Sequence, residues 1–281
     1  MSDSTKFLMT DETGQRIADA LEGGSIATLL KAGKVKPDGK TISVDADGTI
    51  HAIQGKYLDL TNLGTAYTAD LKADISSGKF EKVKVGGYLT INSHVYYIAH
   101  LDYWLHTGDT ECTTHHAVVV PASSSLISGK MNNSNTTTGG YTGSDFKTGA
   151  NSNTALADIK AIIQADFGSA NILTHRELFT NAISGDKASG WAWFDSDVDL
   201  MSEVMVYGHN AWGSAPNYET GIDKSQLELF AKRPDLITTR GHWWLRGVVD
   251  SADFAVVTSD GNARTLYAST SLGIRPAFAI C

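Results

Sequence analysis

Gly241-His242-Trp243-Trp244-Leu245-Arg246 and Leu272-Gly273-Ile274-Arg275-Pro276-Ala277-Phe278-Ala279-Ile280 decide the fold class of this chain. Both are aromatic-aliphatic runs of the kind that fills buried strands. The stretch between them is small and polar and is broken by Asp260-Gly261, a strong turn pair. The pattern predicts two rigid strands bracketing an adaptable surface, a binding face without an evident catalytic group. Within Gly247–Ser271 the candidate contact residues are Val248, Asp250, Ser251, Asp253, Phe254, Asn262, Arg264, Tyr267 and Ser269. Phe254 and Tyr267 would be the aromatic anchors. An ordinary solvent-exposed loop is the competing reading of the same residues.

Working back from that region, Val83 opens a β-rich stretch. Tyr88–Ile91 and Val95–Ala99 flank Asn92-Ser93-His94 as a hairpin would, and Val118-Val119-Val120 before Pro121 reads as a buried strand. Residues 128–154 are rich in Ser, Thr, Asn and Gly and read as a long surface loop, nearly featureless from Asn132 to Thr138. Leu156, Ile159, Ile162, Ile163 and Phe167 follow at helical spacing. Val198–Met205 then reads as a β-like run. Short strands, long loops and one or two helices predict an α+β domain with small twisted antiparallel sheets.

The N-terminal residues form a separate pattern. Asp11 would cap a helix carrying Ile17, Ala20 and Leu21 on one face, and Ser25 a second carrying Ile26, Leu29 and Leu30 before Gly33. Thr41–Val44 and Thr49–Ala52 alternate around Asp45-Ala46-Asp47-Gly48, a hairpin signal. Pieces this small bury too little apolar area to stand alone, so residues 1–54 are expected to dock onto something larger. Residues 55–80 read as a linker with a helix from Ala66 to about Ser76, ended by Gly78, and residues 81–281 as the main domain.

Composition narrows the function classes. A formal charge of -8 over 281 residues argues against a nucleic-acid partner, which needs concentrated Lys and Arg. Met1–Leu8 is polar and precedes no apolar run, so neither a secretory signal nor membrane insertion is expected. Cys112 and Cys281 are too few for a disulfide framework, and both thiols are expected to be reduced.

Cys112, His115 and His116 lie close enough to raise a metal. Adjacent histidines on a strand point to opposite faces, however, and no second cluster has matching spacing, so buried hydrogen-bonded histidine is the preferred reading. Asp195, Asp197 and Asp199 alternate and would put three carboxylates on one strand face; a surface acidic turn is the reading preferred to a calcium site. No Gly-x-Ser-x-Gly elbow and no phosphate loop is present. No metal, no cofactor and no catalytic residue is therefore assigned. Trp191, Trp193 and Phe194, and the pair Trp243-Trp244, are either stacking platforms for a sugar or core filling. Arg246 and Arg275 are expected to anchor carboxylates or carbonyls through their planar forks.

The order of several short pieces resembles a family of uncharacterised domains in phage and Gram-positive bacterial proteins, with a C-type-lectin-like fold related to the formylglycine-generating enzyme. The pieces are Val85–Tyr88, Ile98–Tyr103, Thr114–Pro121, Gly139–Tyr141 before Ser144-Asp145, Leu200–Glu203, Trp243–Arg246 and Gly273–Ala277. The calcium-binding loop and Trp-Asn-Asp strand of sugar-binding lectins are absent, as is the reactive cysteine pair of the oxidase. In such folds the terminal strands pair, which implies that Tyr88–Ile98 lies near Arg275–Ile280. Phe7–Leu21 and Lys40–Ile50 are similar to the N-terminal segments of phage head-fibre or tail-fibre proteins. Together the resemblances imply a non-enzymatic virion protein assembled in the host cytoplasm. Residues 1–54 would dock it on a capsid or tail protein, its lectin-like head would bind a host surface glycan or protein, and the assembly would be a homotrimer. Related phage domains display variable ligand-binding residues between the terminal strands. The alternatives implied are a tail-fibre or baseplate receptor-binding protein, a cement protein without a ligand, and an enzyme on the same scaffold.

Overall fold

The computed structural model describes residues 42–44, 50–52, 58, 60–124, 126–213 and 225–281. The chain divides into two compact units, Met1–Tyr57 and Leu58–Cys281. In the first unit, β1 (Ile42–Val44) pairs antiparallel with β2 (Ile50–Ala52), Val44 opposite Ile50 and Ile42 opposite Ala52. That is the hairpin expected around the Asp-Gly turn. The expected anchoring residues Ile17, Leu21, Ile26, Leu29 and Leu30 lie outside the described residues.

The second unit is α+β, with small sheets and short helices. It opens with β3 (Thr61–Gly64) and α1 (Ala69–Ser76), then β4 (Gly87–Ile91), β5 (His94–Leu101), β6 (Ala117–Pro121) and β7 (Ser128–Gly129). Helices α2 (Asp145–Thr148) and α3 (Ala155–Phe167) follow, then β8 (His175–Ser184), β9 (Lys187–Ser196), β10 (Val198–Leu200), α4 (Glu203–Tyr207) and α5 (Glu228–Lys232). The chain closes with β11 (Trp243–Val248), β12 (Asp253–Val257), β13 (Ala263–Tyr267), β14 (Leu272–Gly273) and β15 (Pro276–Ile280). One sheet has the order β10-β15-β6-β5-β4-β3, another β13-β12-β11-β14-β7, and β8 and β9 form a hairpin of their own. Among the described residues no helix is long and apolar enough to cross a membrane.

Period-two burial explains the continuous apolar runs. Ala117 and Val119 of β6, Trp244 and Val248 of β11, Phe254 and Val256 of β12, and Phe278 and Ile280 of β15 enter one core, which α1 and α3 cover. Their neighbours Val118, Val120, Trp243, Leu245, Ala255, Val257, Ala277 and Ala279 enter a second, shared with α4 and α5. Strands buried on both faces have no polar face to alternate with, so Val118-Val119-Val120 reads as a plain apolar run.

Several expected features stand where they were read. Asn92 and Ser93 have φ of 48° and 68°, the left-handed pair that a two-residue turn between right-twisted strands demands. Helix α3 buries Leu156, Ile159, Ile163 and Phe167, and Gly168 at φ 83° ends it. Gly78 is fixed twice over, because its φ is 67° and a Cβ there would lie 2.4 Å from the His115 ring.

Other expectations are corrected. The stretch taken as a linker is structural from residue 60 onward: β3 pairs parallel with β4, and α1, capped by the Thr68 hydroxyl, buries Leu71 and Ile75. The 128–154 segment is not a plain surface loop, since Met131, Asn132, Thr137, Tyr141, Ser144, Asp145 and Phe146 are buried in it. The run from Val198 to Met205 changes character at Ser202, whose hydroxyl accepts the Met205 N–H and starts α4. The closing strand β15 pairs with β6 and β10 rather than with β4 or β5, though the Tyr96 and Phe278 rings meet at 6.0 Å across β6.

Arg246 ties three elements together. Its Nη2 lies 2.8 Å from Oε1 of Glu177 on β8, Nη1 donates to the Leu200 carbonyl of β10, and both paired side chains are almost wholly buried. Arg275, fully buried, donates to the carbonyls of Pro121 and Leu236 and lies over the Trp243 ring. Burial pushes the Glu177 carboxyl up, but the Arg246 guanidinium and His175 reverse this and hold it well below the ordinary carboxylate range. A depressed carboxyl contributes stability that is complete above the unfolded value of about 4.3 and is lost as the pH falls through the folded value. Arg246→Met leaves that carboxylate buried without its cation and is expected to cost about 3–5 kcal/mol in denaturant unfolding at pH 7. Arg246→Met/Glu177→Gln is expected to recover part of this and to show a shallower acid loss than the wild type.

Candidate binding face

The hairpin β12–β13 is built as the turn pair indicates. Asp253 faces Tyr267 and Val257 faces Ala263, and Gly261 at φ 84° closes a turn in which the Thr258 and Gly261 N–H groups bond the Asn262 and Thr258 carbonyls. β12 is a core strand and β13 the free edge of its sheet. This separates the nine candidates. Val248 and Phe254 have no exposure and pack in the first core, so they support the face and do not form it. Their burial follows from the register: each lies one position from a residue turned the other way.

Of the remaining seven, the strand register brings Asp250, Ser251, Asp253, Tyr267 and Ser269 to one end, and leaves Asn262 and Arg264 near the turn. Asp250 is a brace: its Oδ1 accepts the Ala252 and Asp253 N–H groups at 2.7 and 2.8 Å. Asp253 gives Oδ2 to the Thr265 hydroxyl, while Oδ1 is buried with no hydrogen-bond partner. Burial raises this carboxyl; the Thr265 bond opposes the rise and the Asp250 charge adds to it. Asn262 bonds Asp260 within the turn, and Arg264 is exposed. Tyr267 is 58% exposed.

Two contributors were not legible in advance. The loop read as featureless runs against this end of the hairpin: the Thr137 hydroxyl donates to the Asp250 carbonyl at 2.5 Å, its N–H to the Ser251 carbonyl, and the Ser269 hydroxyl to Asn135 Oδ1 at 2.6 Å. The other is Trp212, 48% exposed; it and Tyr267 are the large apolar side chains in solvent among the described residues. A tryptophan alone within Gly208-His209-Asn210-Ala211-Trp212-Gly213 was the available signal, since no apolar neighbour marks it for a core. The tryptophans singled out instead are Trp243 and Trp244, fully buried, and Trp191 and Trp193, half-buried.

The position of Trp212 is constrained. Its Nε1 donates to the Ala263 carbonyl on β13 at 3.1 Å. Its N–H and that of Gly213 bond the two carboxylate oxygens of buried Glu203 at 2.9 and 2.6 Å. Gly213 and Gly247 approach so closely that a Cβ on Gly213 would lie 3.2 Å from the Gly247 Cα. The indole N–H is thereby spent on the strand while the residue stays 48% exposed.

The polar clusters expected from sequence have their own partners. His116 is buried, with Nδ1 bonded to the Thr114 carbonyl and Nε2 accepting from the Trp104 N–H, which fixes the neutral tautomer; burial lowers its basicity. His115 bonds Asp102 and Cys112 bonds the Thr114 carbonyl. Asp195 pairs with Arg176, Asp197 with Lys160, and Asp199 with Lys147 and the hydroxyls of Tyr141 and Ser196. Asp199 is buried, so the three do not form a surface acidic turn. Among the described residues no group of three or more His, Cys, Asp or Glu side chains is placed to hold a metal.

Residues 182–281 match a family model described as a domain of unknown function (DUF6273). The match begins within β8 and takes in the hairpin β12–β13 and Trp212. No curated protein and no solved structure matches the chain.

Glu203→Ala is expected to release the Trp212 and Gly213 N–H groups and cost about 1–3 kcal/mol. Hydrogen exchange read at those two amides should accelerate relative to the amides of β12.

Proposed function

We propose that this chain is a phage virion surface protein, a capsid-attached head fibre or decoration, whose C-type-lectin-like head binds a host-cell or mucosal surface ligand. The reading is non-enzymatic and places the protein in the virion, as a homotrimer. The contact face would be the edge strand β13, whose first and last residues are about 13 Å apart at the usual rise per residue, with Trp212 bonded beside the first and Tyr267 at the last. One observation carries it: two large aromatic side chains stay in solvent while the frame around them is bonded in place. Aromatics left exposed on a pre-organised surface are the usual anchors of recognition.

Further support comes from the α+β architecture with small sheets, and from a unit boundary at Tyr57–Leu58 close to the end of the expected anchor. The order of sequence pieces that resembles phage lectin-like domains supports the virion assignment.

Trp212→Ala and Tyr267→Ala are each expected to weaken binding of the protein to host cells by about 2 kcal/mol, roughly 30-fold in Kd, with Tm lowered by no more than about 5 °C. Removal of residues 1–54 is expected to abolish incorporation into particles, and electron microscopy of particles lacking the protein should show knobs missing from the head. Undiminished cell binding by the double aromatic variant would displace the face. Specific binding to no cell and no glycan would favour a cement protein, and a lesion at the tail tip would favour a baseplate role.

A further inference from the structure

At the opposite edge of the β13-containing sheet, β7 and the start of α3 line an open cleft of about 220 Å³. Gly129 and Ala155 pack closely where β7 meets α3: a Cβ on Gly129 would lie 2.5 Å from the Ala155 Cβ. Strand β7 is fixed from behind by the Trp244 Nε1, which donates to the Gly129 carbonyl at 2.9 Å.

The walls are joined through a buried carboxylate. Asp145 accepts the Asn151 side-chain amide on one oxygen at 2.9 Å and the Asn133 N–H on the other at 2.8 Å. The Asn153 amide donates to the Lys130 carbonyl, and its oxygen accepts the Ala155 N–H. Asn151 and Ser152 both hold positive φ, 52° and 60°, a costly pair of left-handed residues kept in place by these bonds. Geometry of this kind is set before any ligand arrives.

The groups left over at the rim define the chemistry. The hydroxyls of Ser128 and Ser152, the side-chain oxygen of Asn133 and the Lys130 ammonium all belong to exposed residues and bond no other described group, so they face water across the cleft. They are hydroxyl, amide and ammonium donors and acceptors beside one another, with no aromatic ring and Ala155 as the one apolar side chain among the lining residues. An anion is disfavoured, because Asp158 lines the cleft and Asp145 lies beneath it, against the single cation Lys130. We propose that this cleft binds one uncharged polyhydroxylated unit, a monosaccharide or a saccharide terminus, at a site separate from the Trp212–Tyr267 face.

The full chain tests this by saturation-transfer NMR with methyl glycosides of glucose, galactose, mannose and N-acetylglucosamine, and with inorganic phosphate as the competing probe. A site this small and polar corresponds to about millimolar affinity, so probes at about 10 mM would saturate it. The expected result is transfer to at least one glycoside, reduced at least fivefold by Ser128→Tyr, which fills the cleft from an exposed position, and by Asn133→Ala. Trp212→Ala should leave the signal unchanged, which separates this site from the proposed contact face. Absence of transfer to every glycoside, insensitivity to both cleft variants, or a Lys130-dependent signal from phosphate alone would each overturn the proposal.

Discussion

Two-sided burial of β6, β11, β12 and β15 is the constraint on which the larger unit rests. Each strand gives alternate side chains to two cores, so neither face is free to slide or to take a polar residue without loss. The edge hairpin inherits that rigidity, because β12 cannot shift without moving both cores and β13 is registered against it over five residue pairs. A surface carried on such a strand keeps its shape while its outward side chains vary.

Buried acids perform a second task throughout the unit. Glu203 secures the Trp212 loop, Asp145 joins the cleft walls, Asp199 gathers Lys147, Tyr141 and Ser196, and Glu177 meets Arg246. Each is a carboxylate withdrawn from water, which is unfavourable in isolation and tolerable only when its oxygens are bonded. The return is positional. Irregular segments without a regular hydrogen-bond ladder acquire fixed coordinates from a single well-placed side chain.

The parts of the fold that were legible in the sequence are those where local chemistry and final structure agree. Asn92-Ser93 and Asp260-Gly261 announce their turns because left-handed backbone is local, and α3 shows its helical stripe because one face alone is covered. The 131–146 stretch was misread because Asn132, Thr137 and Ser144 bond the backbone, and residues that do so resemble surface loop in composition. The face itself was half legible. Tyr267 and Ser269 could be placed near it from strand position, but the burial of Val248 and Phe254 depends on register, and the arrival of Trp212 and Asn135 depends on tertiary contacts. Carboxylate roles were illegible for the same reason: Asp195, Asp197 and Asp199 find three different cations on three different elements.

Strand order in the six-stranded sheet bears on how the molecule is made. β15 follows every other strand along the chain, yet it lies inside the sheet between β10 and β6. Without it, β6 lacks its partner on one side and β10 has no strand of the sheet to pair with. Completion of the sheet during synthesis therefore waits for the last of these strands to leave the ribosome.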